Sequence, residues 1–143
     1  FYYFELRYFA RPGYRSRHNS SYWHDVPYIG LGAAAHSYDR LTRHWNPSNI
    51  LRYIDAIERG TLPYEEEERI DPDTHYDDLV TTALRTREGI DLNMLDERHR
   101  AFLLRNASGY IDRQLLRIDG HHLSLTRQGI NISSTIMSDL MYV

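Results

Sequence analysis

The sequence has 143 residues, of which 41% are hydrophobic and 26% are charged, and its formal net charge at pH 7 is -3. This is enough apolar material for one modest core or two small cores packed together. The acidic balance argues against a general electrostatic attraction to nucleic acid or to an anionic membrane surface. Because cysteine is absent, these residues supply no disulfide, zinc thiolate, cysteine nucleophile or iron-sulfur ligand. No run of about 18 apolar residues and no secretory signal pattern occurs, so a cytoplasmic location is the expectation.

The first 45 residues are rich in aromatic and turn-forming residues and contain two predicted strands. The first runs from Phe1 to Leu6, and because the chain begins inside it without a Met, we expect a longer parent polypeptide. The second runs from Tyr28 to Ala35 and is apolar without alternation, which is typical of a parallel strand covered on both faces. Its small residues permit a close approach of neighbouring backbone.

One helix is predicted after residue 45. Asn46 is its expected N-cap, Pro47 suits the first turn and Gly60 ends it. Apolar residues recur at helical spacing between these limits, at Ile50, Tyr53, Ile54 and Ile57. The acidic run that follows, residues 65–68, predicts a solvated linker, because four contiguous glutamates point in different directions on any regular element.

From residue 71 onward the pattern changes to short helices followed by a hairpin. Asp71 and Pro72 start a helix that Gly89 ends, and Asp91 caps a short helix that precedes a longer one. Residues 116–118 and 123–125 alternate around Asp119 and Gly120, a strong hairpin signal. A last helix follows, with Thr126 as its cap. This order predicts a winged-helix-like unit.

The densest cluster of candidate functional residues lies between residues 11 and 23. His18 is a possible axial ligand of a haem iron, and the flat rings of Tyr22 and Trp23 suit a porphyrin. Arginines that could pair with the propionates stand at Arg11, Arg15 and Arg17. An ordinary loop histidine with two aromatic core anchors would have the same composition, so these residues leave both interpretations open.

Several short motifs in a fixed order indicate a family. His18-Asn19-Ser-Ser-Tyr22-Trp23 matches the HNxxYW motif of the HemW haem chaperones, and Phe9-Ala-Arg-Pro-Gly-Tyr14 resembles their FARPGY stretch. Gly30-Leu-Gly32 with Ala35-His36-Ser37 resembles their GxGxxAHS segment. Further matches follow at Trp45-Asn46, Leu62-Pro63, Glu65 to Arg69, Arg87 to Leu92 and Leu123 to Thr126. The resemblance spans essentially the whole chain.

This resemblance implies a function and a set of site residues. HemW proteins bind haem through the histidine of the motif, here His18, and deliver it to respiratory haem proteins, including membrane-associated acceptors. The same comparison assigns supporting roles to Asn19, Tyr22 and Trp23. It also implies a radical-SAM barrel whose closing strand brings residues near S-adenosylmethionine, at Gly30, Gly32, Ala35 and His36. Tight barrel packing is the alternative role of the two glycines.

Two departures from the family pattern limit these expectations. The family's Tyr-Glu-Ile-Ser-Asn stands here as Phe4-Glu5-Leu6-Arg7-Tyr8, which puts the roles of the Ser and Asn in doubt. The CxxxCxxC loop is missing, and without three thiolates these residues hold no [4Fe-4S] cluster to cleave S-adenosylmethionine. We therefore predict no catalytic residue in this chain, and any enzymatic activity would belong to the longer parent.

Two other functions are compatible with parts of the sequence. The parent could be a radical-SAM coproporphyrinogen III dehydrogenase, the oxygen-independent oxidase of porphyrin biosynthesis, although that branch lacks the HNxxYW motif. The C-terminal unit could instead be a nucleic-acid reader, because residues 98–127 are rich in arginine. These arginines are spread around a helix without an aromatic stacking platform, so we expect no nucleic-acid partner.

The sequence thus predicts an α+β chain in three parts. Residues 1–45 form the end of a partial α/β barrel with the HNxxYW loop. Residues 46–70 form a helix and an acidic linker. Residues 71–143 form a winged-helix-like HemN C-terminal domain.

Overall fold

A computed structural model describes residues 2–142 of the chain, with side chains from residue 5 onward. The chain divides into two compact units, and each is described by itself. The first unit joins residues 1–24 to residues 73–143, and the second unit contains residues 25–72. Helices and antiparallel sheets occur together, which confirms the predicted mixture of α and β structure.

The first unit begins with a hairpin and a short helix. Strand β1 (Tyr2–Glu5) pairs antiparallel with β2 (Tyr8–Ala10), and the register shifts between Tyr3 and Glu5. The predicted first strand is therefore present up to Glu5, while Phe1 lies outside the described residues. Helix α1 (Arg17–Trp23) follows.

A three-stranded antiparallel sheet and one helix form the second unit. Strand β3 (His36–Tyr38) pairs with β4 (Thr42–Trp45), and β4 pairs with the last strand of the unit, β5 (Glu66–Arg69). Helix α2 (Ile50–Glu58) lies between β4 and β5 in sequence. The acidic run is exposed, as predicted, but the prediction of a linker is wrong. Its glutamates lie beside basic side chains of the neighbouring strand, with 3.4 Å between His44 and Glu67 and 3.6 Å between Arg43 and Glu68, and such cross-strand pairs favour strand structure.

The predicted strand from Tyr28 to Ala35 is wrong. Tyr28 makes an isolated bridge to Tyr38, and regular strand structure starts only at His36. The intervening backbone is bent, because Gly32 and Ala34 have φ values of +107° and +59°. Backbone in the left-handed region cannot continue a strand. The apolar residues that suggested burial on both faces are exposed, with Ile29 at 81% and Leu31 at 85%.

Helix α2 ends as predicted but begins differently. Its N-cap is Asn49, whose Oδ1 accepts hydrogen bonds from the backbone N–H groups of Leu51 and Arg52 at 3.0 and 3.2 Å. Asn46 is buried and bonds elsewhere, so the prediction that it caps the helix is wrong. Gly60, with φ of +67°, follows the C-cap and ends the helix. The amphipathic spacing is real, yet none of the helix residues is buried within the described structure.

The remainder of the first unit contains its core. Helix α3 (Pro72–Ala83) begins at the predicted proline, and a 3₁₀ turn (Leu92–Met94) is capped by Asp91 as expected. Helix α4 (Glu97–Asp112) starts from its own cap, Asp96, whose carboxylate accepts from the backbone N–H of His99 at 2.9 Å. Fully buried apolar residues come from all parts of this region, among them Val80, Leu84, Leu103, Leu116, Leu123, Ile136 and Leu140.

A second three-stranded sheet packs against these helices. Strand β6 (Ile90–Asp91) pairs with β8 (His122–Leu125), which pairs in turn with β7 (Leu116–Asp119). The hairpin is confirmed, but Asp119 pairs with His122, so the turn consists of Gly120 and His121. A glycine with φ of +58° at the first turn position suits the two-residue hairpin loop.

The closing segment forms two helices where one was predicted. Helix α5 (Arg127–Ile130) is capped by Thr126, as expected, and α6 (Ser133–Leu140) follows a break at Ile132. The Tyr76 hydroxyl donates to the carbonyl of Leu140 at 2.8 Å and ties the end of α6 to α3. Burial raises the pKa of Tyr76 well above its ordinary range. The winged-helix and partial-barrel descriptions remain predictions.

Candidate functional site

Helix α1 carries the HNxxYW motif and presents it at the surface. The Ser16 hydroxyl accepts a hydrogen bond from the backbone N–H of Asn19 at 3.2 Å and so caps the helix. None of its residues is fully buried. Since residues four apart lie on one face of a helix, the side chains of His18 and Tyr22 are neighbours.

The rings of His18 and Tyr22 meet edge to face. Their centroids are 5.0 Å apart with an angle of 83° between the ring planes. The Tyr22 Oη lies 3.3 Å from His18 Nε2, a separation longer than most side-chain hydrogen bonds. The contact orients the imidazole without enclosing it, and both rings are exposed. An accessible imidazole nitrogen is a suitable ligand for iron.

Trp23 ends the helix and is held from one side by a cation. The guanidinium carbon of Arg85 lies 5.1 Å from the centre of the indole ring. The Nε of the same Arg85 donates to the fully buried Glu5 carboxylate at 3.0 Å. The Trp23 Nε1 is a buried donor that has no hydrogen-bond partner among residues 2–142. Because this N–H is buried, a ligand at the surface could reach the ring of Trp23 but not its N–H group.

The arginines near the motif differ in their surroundings. Arg15 forms an ion pair with Glu88, with 2.5 Å between Nη1 and Oε1, so it anchors the segment before α1 to the residues that follow α3. Arg11 and Arg17 are exposed. Sequence reasoning missed Glu5, Arg85 and Glu88, because the partners in these pairs lie 73 and 80 positions apart and no local pattern links them.

The second predicted set of residues lies in the second unit. Gly30, Gly32 and Ala35 belong to the bend before β3, and His36 starts that strand. An added Cβ on Gly30 would lie 2.1 Å from the carbonyl oxygen of His36, so no side chain fits there. The exposed His36 ring lies 5.8 Å from the Trp45 ring, centre to centre. Tight packing accounts for Gly30.

Asn46 organises this bend, a role that the sequence did not indicate. Its Nδ2 donates to the carbonyls of Gly32 and Gly30 at 2.8 and 3.3 Å. Its backbone N–H donates to Ala35 at 2.9 Å. The N–H groups of Gly30 and Gly32 donate to Ser37 Oγ and to Tyr53 Oη, each at 3.0 Å. Because these backbone groups are already paired, the arrangement favours a packing role over contact with S-adenosylmethionine.

Two broader features of the described residues bear on the site. No cluster of three or more His, Asp or Glu side chains among residues 2–142 is arranged to hold a metal ion. A haem iron needs only one or two protein ligands, since the porphyrin supplies the others, so His18 is sufficient in number. Within the same residues, no helix has the length and apolar character needed to cross a membrane.

Residues 70–132 match the HemN C-terminal domain family. The chain is similar in fold to coproporphyrinogen III oxidase (HemN) from Escherichia coli, a radical SAM enzyme, with a TM-score of 0.58 and 14% identity. That similarity covers 82% of this chain and 29% of the enzyme. The chain is therefore HemN-like in its fold.

The relatives with similar sequences identify the family more narrowly than the fold does. The chain is 29% identical over 141 residues to the haem chaperone HemW of Mycobacterium tuberculosis (strain CDC 1551 / Oshkosh), which covers 99% of this chain and 35% of the relative. It is 30% identical over 96 residues to HemW of Bacillus subtilis (strain 168), which covers 67% of this chain and 25% of the relative. The chain belongs with the C-terminal region of the HemW haem chaperone family, and it spans about a third of the length of the first of these relatives.

Proposed function

We propose that the chain binds haem through His18 and is part of a haem chaperone. The observation that carries the proposal is the exposed imidazole of His18, oriented by Tyr22 on a capped surface helix within the HNxxYW motif. The HemW relatives, which are named haem chaperones, support the same conclusion.

The side chains of α1 have distinct roles in this proposal. His18 would provide a protein ligand to the haem iron, and Tyr22 sets the plane of its ring through the edge-to-face contact. Trp23 provides a flat apolar surface for the porphyrin. Haem, when bound, would supply the iron and the four porphyrin nitrogens. An exposed site also permits transfer, since an acceptor can replace His18 without an opening of the fold.

A haem titration followed by absorbance tests this proposal. The chain should give a shifted Soret band, and the His18→Ala variant should lose it. His24→Ala is the matched control, because His24 is also exposed at the end of α1 but its Nδ1 lies 2.6 Å from the Ser20 carbonyl oxygen. Equal Soret shifts in the original chain and in His18→Ala would contradict the proposal.

The role of the longer protein is also a proposal. We expect a cytoplasmic haem chaperone that delivers haem to respiratory haem proteins, including membrane-associated acceptors. The HemN-like fold supports a radical-SAM barrel with a [4Fe-4S] cluster and S-adenosylmethionine in that protein, but the cluster thiolates would have to lie outside this chain, which has no cysteine. Conversion of coproporphyrinogen III by the longer protein would instead favour the oxidase function.

A further inference from the structure

A pocket in the first unit lies apart from α1. Its volume is about 590 Å³, within the range of about 300–1,000 Å³ that is usual for small-molecule sites. Its walls come from the β1–β2 hairpin, the loop that follows α3, the β7–β8 hairpin and α5 with its flanking residues. The lining residues are Leu6, Phe9, Arg87, Arg117, Leu125, Thr126, Arg127, Ile130 and Asn131. No residue of α1 contributes to it.

The lining combines two chemical characters. Leu6, Phe9, Leu125 and Ile130 supply an apolar surface, and three arginines carry positive charge beside it. No carboxylate is present among the described residues that line the pocket. All three arginines are exposed, and an exposed guanidinium still attracts an anion on a side where no acidic side chain competes for it. The lining is therefore complementary to an apolar molecule that carries carboxylates.

The arginines are held in place without loss of their charge. Arg117 Nε donates to the neutral Ser124 Oγ at 3.2 Å, which leaves the end of the guanidinium for a bidentate contact. Arg127 is the first residue of α5, directly after the cap Thr126, whose hydroxyl donates to the Gln114 carbonyl at 2.7 Å. Arg87 has an additional interaction of its own. Arg117 and Arg127 are therefore the residues to vary.

We propose that this pocket binds the carboxylate-bearing edge of a porphyrin. The choice of a porphyrin rests on the proposed haem function, whereas the apolar carboxylate chemistry follows from the lining alone. A fatty acid has one carboxylate, but a protoporphyrin carries two propionates on one edge, and Arg117 and Arg127 can pair with one propionate each. The pocket is thus a second porphyrin contact, independent of iron ligation by His18.

Metal-free protoporphyrin IX is the probe that separates the two sites, because it has no iron for His18 to ligate. Its binding is followed by porphyrin fluorescence. We expect binding to the original chain and, undiminished, to His18→Ala. The double variant Arg117→Ala/Arg127→Ala should bind about 10-fold to 100-fold more weakly, since it loses the charged hydrogen bonds to the propionates. The dimethyl ester of protoporphyrin should show a similar loss with the original chain.

Control variants and control ligands separate the effect of the pocket arginines from the effects of net charge and of carboxylates in general. Arg100→Ala/Arg105→Ala removes the same charge from α4, outside the lining, and should leave binding unchanged. Arg117→Lys/Arg127→Lys keeps the charge and should retain part of the affinity. Equal affinity of the two double alanine variants, or strong binding of the dimethyl ester, overturns the proposal. Displacement of protoporphyrin by equimolar oleate overturns the porphyrin assignment. The loss of the iron-haem Soret shift in His18→Ala is measured in a separate titration, and its result tests only the proposed function.

Discussion

The carboxylate of Glu5, fully buried, pairs with the guanidinium of Arg85 at 3.0 Å across 80 positions of sequence. The same contact region contains a backbone hydrogen bond of 2.9 Å from Leu6 to the Arg85 carbonyl. Glu5 also accepts from the backbone N–H of Arg7 at 2.9 Å. This pair fastens the β1–β2 hairpin to the turn that follows α3 and places Arg85 over the ring of Trp23.

Removing the charge of Glu5 should destabilise the first unit. In Glu5→Gln a half-buried guanidinium loses its anionic partner, and breaking a buried ion pair in this way costs on the order of 3 kcal/mol. The free energy of unfolding in urea at neutral pH measures the effect. Glu58→Gln, an exposed change of the same type on α2, should leave the unfolding midpoint in place. Similar midpoints for both variants would show that the Glu5 pair is not structural.

The cap of α1 should influence haem binding without contacting haem. Ser16→Ala removes the acceptor for the Asn19 N–H, and loss of such a cap costs about 1 kcal/mol of helix stability. A less populated helix presents His18 less often, so the haem dissociation constant should rise by about fivefold. Ser16→Asp retains a capping oxygen and should bind haem like the original chain. A large loss of affinity in Ser16→Asp would contradict the capping explanation.

Two glycine substitutions should have opposite effects on stability. In Gly129→Ala the new Cβ would lie 1.9 Å from the carbonyl oxygen of Leu115, so the backbone must move and several kcal/mol of stability should be lost, about as much as from overpacking a core. Gly109 lies in α4 with open space around its Cβ position. Gly109→Ala should therefore raise the free energy of unfolding by about 0.5–1 kcal/mol. Thermal unfolding measures both effects: the midpoint temperature should fall in Gly129→Ala and rise in Gly109→Ala.

Acid should weaken the start of α4. The backbone N–H of His99 and then its ring donate to Asp96, and these bonds hold the pKa of the Asp96 carboxyl below its ordinary value of 3.8. A carboxyl with a lowered pKa in the folded state stabilises the fold above its unfolded pKa, and this stabilisation disappears as the pH falls through the folded pKa. Stability should therefore decline below about pH 4.

Asp96→Asn tests this origin of the acid sensitivity. Asparagine still caps a helix, so stability at pH 7 should fall little, whereas the decline below about pH 4 should become shallower. Asp112→Asn, at the other end of the same helix, should keep the original acid profile. Circular dichroism of urea unfolding at several pH values provides the measurement. An unchanged acid profile in Asp96→Asn would assign the effect to other carboxylates.

Local signals predicted the elements of the C-terminal region well. Pro72, Asp91 and Thr126 mark element starts in the structure because capping and proline geometry depend on a few adjacent residues. The alternation around Gly120 similarly determined the hairpin, although its turn lies one residue later than predicted. The HNxxYW motif indicated the family through the identity of its residues, and the relatives confirm that family.

Contacts between distant parts of the chain could not be predicted from such local signals. The run from Tyr28 to Ala35 has the composition of a buried strand, yet Asn46 and Tyr53 bind its backbone in a bent form. The pairing of Glu5 with Arg85 and the collection of Arg87, Arg117 and Arg127 at one pocket depend on chain segments that meet only in the folded state. The local order of residues therefore determined which residues cap helices and which alternate along strands. Long-range packing, which depends on shape and on the satisfaction of buried polar groups, specified which of them share a site.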